Sequence, residues 1–263
     1  MATAIALNVP AKQPSLPTIY YNEVRFELLK LSRNRSYLFS MIGFPVIFYL
    51  LFGVTNKGSV FHGHTIARYL LAGYSCFGAM GSSLFGIGAG LAFERGHGWL
   101  EMKRASPMPA AAYLLAKLCV AITFAVGITI LLMILGTAMA GVQITTVEGL
   151  RLLAVIAAGV LPFASLGLVI GLLMPSNAAP GVINLIYLPL SFCGGLWMPI
   201  ETLPHWLQVI AHGLPSFWFS RLALRTLGYS DSPALLAWAL LAAYTVVFLL
   251  VAAFIFRRQE AQA

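Results

Sequence analysis

The chain has 263 residues, of which 60% are hydrophobic and only 9% charged, and its formal net charge is +8. A soluble domain carries roughly 25% charged residues and uses them to cover its surface, so these proportions exclude an ordinary soluble globular protein and make the membrane the solvent. Excess positive charge in such a chain marks the cytoplasmic side, and with no basic tract interleaved with exposed aromatics, no nucleic-acid partner is expected.

Residues 1–16 contain Pro10 and Pro14 and read as a flexible tail. The stretch ATAIALNVP is short and lacks a basic leader, so no cleavable signal peptide is expected. Residues 17–36 read as an amphipathic helix with Tyr21, Val24, Leu28 and Leu31 on one stripe and Glu23, Glu27 and Lys30 off it. Such a helix ahead of a span is expected to lie along the membrane surface. A helix crossing the hydrocarbon needs about 20 apolar residues, with a range of roughly 17–25. Six segments qualify: 37–54, 69–93, 111–140, 152–174, 178–197 and 234–256. The fold class is therefore an all-α membrane protein, with 37–256 as one transmembrane domain and 257–263 as a tail. Pro45, Pro162 and Pro189 fall inside spans, where neighbours must satisfy the freed carbonyls.

Orientation follows from Lys and Arg. Eleven of the 16 basic residues fall on the side of the N-terminus and five on the other, which places both termini inside. Residues 203–228 are apolar but interrupted by Pro204, His205, His212, Pro215, Arg221 and Arg225. Read as a seventh span, they would move Arg257 and Arg258 outside. The preferred reading is two short helices that dip into the outer leaflet and return, parted at Gly213–Pro215, with Trp206, Phe217, Trp218 and Phe219 at interfacial depth. The second span is glycine-rich, which suits close helix packing.

Several chemistries are missing. No acid sits in the middle of a span, where ion-driven carriers place carboxylates. There is no HExxH, GxSxG or GxxxxGK[ST] motif, so neither intramembrane hydrolysis nor a P-loop is expected, and any ATP must be bound by another chain. His62 and His64 lack a third ligand for a metal. Cys76, Cys119 and Cys193 lie in apolar runs without ligand spacing and read as free, buried thiols. Ser75, Asn184 and Tyr187 are polar groups within spans. They suit interhelical hydrogen bonds, and more weakly a substrate path.

The connection FERGHGWLEMKRASPMP, residues 93–109, concentrates charge between two apolar runs. Its Glu94-Arg95, Gly98, Leu100, Ser106-Pro107 and the later Lys117 resemble the loop after the second span of type-2 ABC transporter permeases. Asn184, Pro189, Gly194-Gly195, Pro199, Leu203-Pro204, Leu207, Leu214-Pro215 and Arg225 resemble that family's fifth span and the outer segment after it. Gly96, Trp99 and Ala116 depart from the family pattern of Glu, Thr and Gly. The resemblance implies a non-catalytic permease subunit that exports an amphipathic substrate (drug, antibiotic, lipid or lipid-linked glycan). ATP and magnesium would be bound by a separate ABC-type ATPase dimer, and no cofactor by this chain. It also implies a second permease copy or paralogue and a bacterial inner-membrane location. The loop 94–110 would couple to the ATPase. Trp99–Ala105 would form about two helical turns, with Trp99 and Met102 on an apolar face and Glu101 and Arg104 on a polar one. The amphipathic helix, with Glu23, Glu27, Lys30 and Arg33, would cradle the same subunit. Pro204, Trp206, Gly213, Pro215 and Arg225 would belong to an outer gate. A self-sufficient channel or carrier, or a non-transporting assembly protein, are the rival readings of the composition alone.

Overall fold

A computed structural model of the chain describes residues 15–61, 63–104 and 109–260. The first helix, α1 (Leu16–Arg33), starts at Pro17 and ends in the basic pair Lys30 and Arg33. Asn34 leaves the helical conformation and accepts a hydrogen bond from the Tyr37 backbone N–H at 3.1 Å, so it caps the next helix. That helix, α2 (Arg35–Phe48), continues through a π-helical turn over Tyr49–Val54. A minimal hairpin, β1 (Val60–Phe61) and β2 (His64–Thr65), then reverses the chain.

The central element is one long helix in three parts: α3 (Ile66–Ser83), a π-helical segment (Leu84–Ala89) and α4 (Gly90–Gly96). It is buried along most of its length, with α2, α6 (Ala110–Ala140), α8 (Leu161–Leu173) and α9 (Ala179–Cys193) around it. Its glycines explain how neighbours come so near. A Cβ on Gly88 would stand 3.1 Å from the Gly167 carbonyl oxygen, and one on Gly171 would stand 2.8 Å from the Gly88 carbonyl oxygen. Backbones in contact at that range leave no room for a side chain, which is how small residues drive helix association where water cannot.

After α4 comes the short helix α5 (Trp99–Arg104). α6 is 31 residues long and ends at Gly141, whose φ of 64° is the left-handed cap glycine tolerates. α7 (Thr146–Gly159) starts at a capping box between Thr145 and Glu148 and passes through Val160 into α8, whose second residue, Pro162, suits the new first turn. α10 (His205–Ala211), α11 (Pro215–Thr226) and α12 (Ala234–Glu260) complete the chain. α12 exposes Leu235, Val246, Leu250 and Phe254, an apolar surface suited to lipid.

Among the described residues, five helical stretches are long and apolar enough to cross a membrane: Arg35–Val54, Ile66–Gly96, Ala112–Ala140, Thr146–Leu173 and Ala234–Arg258. The expected span 178–197 is different. Its helix stops at Cys193 because Gly194 and Gly195, the latter at φ 71°, turn the chain. Its 15 residues rise only about 22 Å, short of the roughly 30 Å hydrocarbon thickness, so it is a shorter apolar helix.

Three other expectations change. On α1 the inward residues are Glu27 and Leu31, while Tyr21 is exposed. Phe217, Trp218 and Phe219 are buried in the core and not laid at a surface, and of that aromatic set Trp206 is the exposed one. Cys76 is buried, but Cys119 is exposed and Cys193 only partly covered. The break between α10 and α11 falls at 212–214, one residue before the expected Gly213–Pro215. It is tied down by Trp218 Nε1, which donates to the His212 carbonyl at 2.8 Å, and by Tyr244 of α12, which donates to the Gly213 carbonyl at 2.5 Å.

The glycine contacts make a direct comparison possible. Gly171→Ala pushes a methyl group into the backbone of Gly88 and should lower stability by about 1–3 kcal/mol. Gly43→Ala, on a helix where a Cβ meets nothing within 4 Å, should be neutral or slightly stabilising. Thermal unfolding of the two variants in the same detergent checks this: equal midpoints would contradict it.

Candidate functional site

The charge of α1, α4 and α6 converges at one end of the bundle. Lys117, seven residues past Ala110 on α6, is 2% exposed and donates to Glu27 Oε1 at 2.6 Å and Glu94 Oε1 at 2.8 Å. Those carboxylates, on α1 and α4, are themselves 4% and 2% exposed. Lys30 donates to both oxygens of Glu27 at 3.1 Å and also pairs with Glu94. Tyr113, one turn before Lys117, donates its hydroxyl to Glu94 Oε2 at 2.6 Å. Two ammonium groups thus meet two carboxylates, so the cluster is neutral as a whole. Burial would lower the Lys30 pKa, but the carboxylates of Glu27 and Glu94 outweigh it and hold it above its ordinary value. A buried charge is tolerable only when paired and hydrogen-bonded, and each buried member here has two or more partners.

The sequence places these groups by simple spacing. Glu27 and Lys30 are three apart on α1, and Tyr113 and Lys117 four apart on α6, so each pair shares a face. Glu94 lies in the last turn of α4. The next residue, Arg95, donates to the Met174 carbonyl at 2.9 Å, at the C-terminus of α8. Gly96 then passes so close to the α8–α9 turn that a Cβ would stand 3.0 Å from Ser176 Oγ. That approach accounts for glycine at this position.

Gly98, at φ 73°, redirects the chain into α5. Leu100 of α5 is buried with Ile87, Leu91, Tyr113 and Leu168. Trp99 meets Phe93 edge-on at 5.7 Å yet is 45% exposed, and Met102 is 72% exposed. α5 is thus anchored by one leucine and presents a small apolar face. Glu101 and Arg104 also fall on α5. Ser106 and Pro107 lie outside the described residues.

The structure regroups the expected residues. Glu94, Glu27 and Lys30, expected on surfaces facing a partner, belong to one internal cluster: both carboxylates are turned inward, and Lys30 alone keeps an exposed side. Glu23 is half-buried on α1 and Arg33 exposed at its end. Tyr113 is not among the site residues the sequence points to, and Lys117 enters there through the basic-residue asymmetry and the family resemblance. The signal was there: a lysine seven residues into an apolar run needs carboxylates. At the opposite end, Pro204 caps α10, Pro215 opens α11 and Arg225 donates to the Ser232 carbonyl. Arg68 there pairs with Glu148, a link the Thr145-x-x-Glu148 spacing only half announced. His62 lies outside the described residues, and among those described no group of three His, Cys, Asp or Glu side chains could hold a metal.

A groove of about 750 Å³ runs along α2, the α3–α4 helix and α9. Asn184 and Tyr187 line it, with the Tyr187 hydroxyl donating to the Phe77 carbonyl at 2.9 Å. Ser75 does not line it: it is buried in α3 and donates to the Leu71 carbonyl at 2.7 Å.

Lys117→Met leaves two buried carboxylates short of a cation and should cost about 3–5 kcal/mol. The triple variant Glu27→Gln, Glu94→Gln, Lys117→Met strands no buried charge and should lose clearly less. Unfolding midpoints ranked the other way round would contradict the pairing.

The comparisons with known proteins agree with this architecture. A family profile described as ABC-2 type transporter matches residues 24–228, which include α4, α5, the groove and the α10–α11 pair. The chain is also 31% identical over 237 residues to a protein of Bacillus subtilis (strain 168) named "Putative transport permease YvfS", covering 89% of this chain and 96% of that one. With apolar helices of spanning length and a matched domain over most of its residues, the chain is an integral membrane protein belonging to the ABC-2 type transporter family.

Proposed function

We propose that the chain is the membrane permease subunit of an ATP-driven exporter of amphipathic molecules, with hydrolysis performed by a separate ABC-type ATPase. Family membership implies pairing with such an ATPase. The observation that carries the finer reading is α5: a short helix outside the apolar spans, exposing Trp99 and Met102, yet anchored beside the buried cluster of α1, α4 and α6. A motor acting on α5 would move three helices together, because separating any of them strands a charge. α4 continues into α3 through the π-helical segment 84–89, a local irregularity of the kind that accommodates helix movement.

In this reading the end bearing α1 and α5 is cytoplasmic in a bacterial inner membrane, with both termini inside. α9 counts as a short fifth span, giving six. α10 and α11 form a re-entrant pair in the outer leaflet, and the groove on α2 and α9 is the substrate path, completed by a second copy or a paralogue. The substrate class is a drug, antibiotic, lipid or lipid-linked glycan.

Co-purification tests the ATPase contact. The tagged chain should retain its P-loop ATPase partner from its own membranes, identified by mass spectrometry. Met102→Asp, which charges the exposed face of α5, should reduce that retention at least tenfold without changing the unfolding midpoint. Full retention by Met102→Asp and by the helix-breaking Met102→Pro would remove α5 from the contact.

A further inference from the structure

The buried cluster uses up the carboxylates at its end of the bundle. Among the side chains described there, Glu27 and Glu94 are buried and paired, and Glu23 is half-buried. The arginines at the same end are left over. Arg33 closes α1, Arg35 opens α2, and Arg257 and Arg258 sit in the last turn of α12. All four are exposed, and none has a side-chain hydrogen bond or ion pair among the described residues.

Helix lengths put these arginines near one level. Lys117 and Ala140 lie roughly 35 Å apart along α6, and Ala234 and Arg257 of α12 are separated by the same rise. The hydrocarbon is about 30 Å thick, so Arg257 and the cluster around Lys117 share the head-group level at one face. Packing agrees: Ala252, Ile255 and Phe256 of α12 join one apolar cluster with Leu91 and Leu100. Tyr37 donates to the Ser82 carbonyl at 2.9 Å and its ring meets Phe124 edge-on at 5.5 Å, which sets the first turn of α2 just inside that level. Long guanidinium side chains reach outward from there. An exposed ring stands one turn from an arginine on each helix. Arg35 and Phe39 are four apart on α2, and Phe254 and Arg258 four apart on α12, so each pair shares a face. α2 leads away from this end and α12 leads to it, so the order along the chain reverses and the order in space does not. In both, the guanidinium is at the head groups and the ring about 6 Å deeper. Phe39 is 75% exposed and Phe254 66%, the two most exposed phenylalanines among the described residues.

We propose that these are two binding sites for anionic phospholipids of the surrounding bilayer. Arg33 and Arg35 hold one phosphodiester and Arg257 and Arg258 another, and an acyl chain of each lipid lies on Phe39 or Phe254. A guanidinium fork matches two phosphate oxygens. With the carboxylates of Glu27 and Glu94 committed inside the bundle, the outward charge is positive, and it favours a head group of net negative charge such as phosphatidylglycerol over zwitterionic phosphatidylcholine. Arg33 lies one turn past Lys30, so the first lipid braces α1 beside the buried cluster. The proposal needs only that the bundle sits in a bilayer, and it goes beyond the exporter reading without resting on it.

The test uses the full chain in phosphatidylcholine nanodiscs with a trace of phosphatidylglycerol or phosphatidylcholine carrying a diazirine high in one acyl chain. After illumination, labelled peptides are mapped by mass spectrometry. The phosphatidylglycerol probe should label the first turns of α2 and the last turns of α12 about fivefold or more above the phosphatidylcholine probe, and added salt should narrow the gap. Arg33→Gln with Arg35→Gln should cut phosphatidylglycerol labelling of α2 about tenfold and leave α12 unchanged. Arg257→Gln with Arg258→Gln should do the reverse. Arg33→Lys with Arg35→Lys keeps the charge and should keep most of the labelling. Equal labelling by the two probes overturns the proposal, as does loss at both helices from either pair of substitutions, the result that general misfolding would give. If Arg33→Gln with Arg35→Gln leaves labelling intact and instead lowers ATPase retention in lipid-free detergent, these arginines serve a protein contact and the proposal also falls. Loss of labelling with the ATPase still retained supports the lipid sites and leaves the permease reading standing.

Discussion

A lysine ammonium buried inside an apolar bundle is an expense that only close carboxylates can offset, and this fold is organised around one. Lys117 reaches Glu27 and Glu94 at 2.6 and 2.8 Å from a position 2% exposed. Because the partners come from α1 and α4, the surface helix, the end of the central helix and the start of α6 share one electrostatic requirement. A hydrophobic contact among the same helices would tolerate sliding. A cluster of two cations and two anions with hydrogen bonds in fixed directions does not.

The rest of the central helix obeys the opposite logic. At Gly73 and Gly88 its neighbours approach backbone to backbone, and at Gly78, Gly81 and Gly86 the side chains of Ile128, Tyr187 and Tyr37 fill the space a Cβ would take. One molecule therefore combines a polar lock at the α1 end with close, glycine-lined packing along the membrane interior. Between them lies the π-helical segment 84–89, where the helical ladder is already irregular. For an ABC-2 family permease this division is mechanically sensible. The end nearest α5 is held by ion pairs, and the glycine-lined interior beside the groove is packed without them.

Legibility in the sequence differed by the range of the interaction involved. The membrane class, the positions of the long apolar helices, the break near Gly213 and the short helix after Gly98 all follow from local composition, periodicity and turn chemistry. Those signals act over a few residues, and they survived. The surface helix was legible as a helix but not in its orientation, because amphipathic reasoning turns carboxylates toward water and Glu27 is turned inward to Lys117, 90 residues away. The aromatic run Phe217–Phe219 misled for the same reason: aromatic residues suit an interface or a core equally, and here the packing of α11 against α3 and α7 buried them. The shortness of α9 was in the sequence as Gly194-Gly195, but apolar residues beyond the turn disguised it.

By itself, the sequence determined that the chain must live in a membrane, roughly where its long apolar helices lie, and where charge gathers between the second and third apolar runs. Hydrocarbon solvent leaves few ways to arrange such a chain, and short-range patterns are enough to choose among them. Only the tertiary structure decided that Glu94 pairs with Lys30 and Lys117, that Gly96 passes close to Ser176, and that Ser40 and Asn184 line one groove. Those facts depend on distances between segments far apart in the chain, and pairing a buried charge selects its partner by position in space.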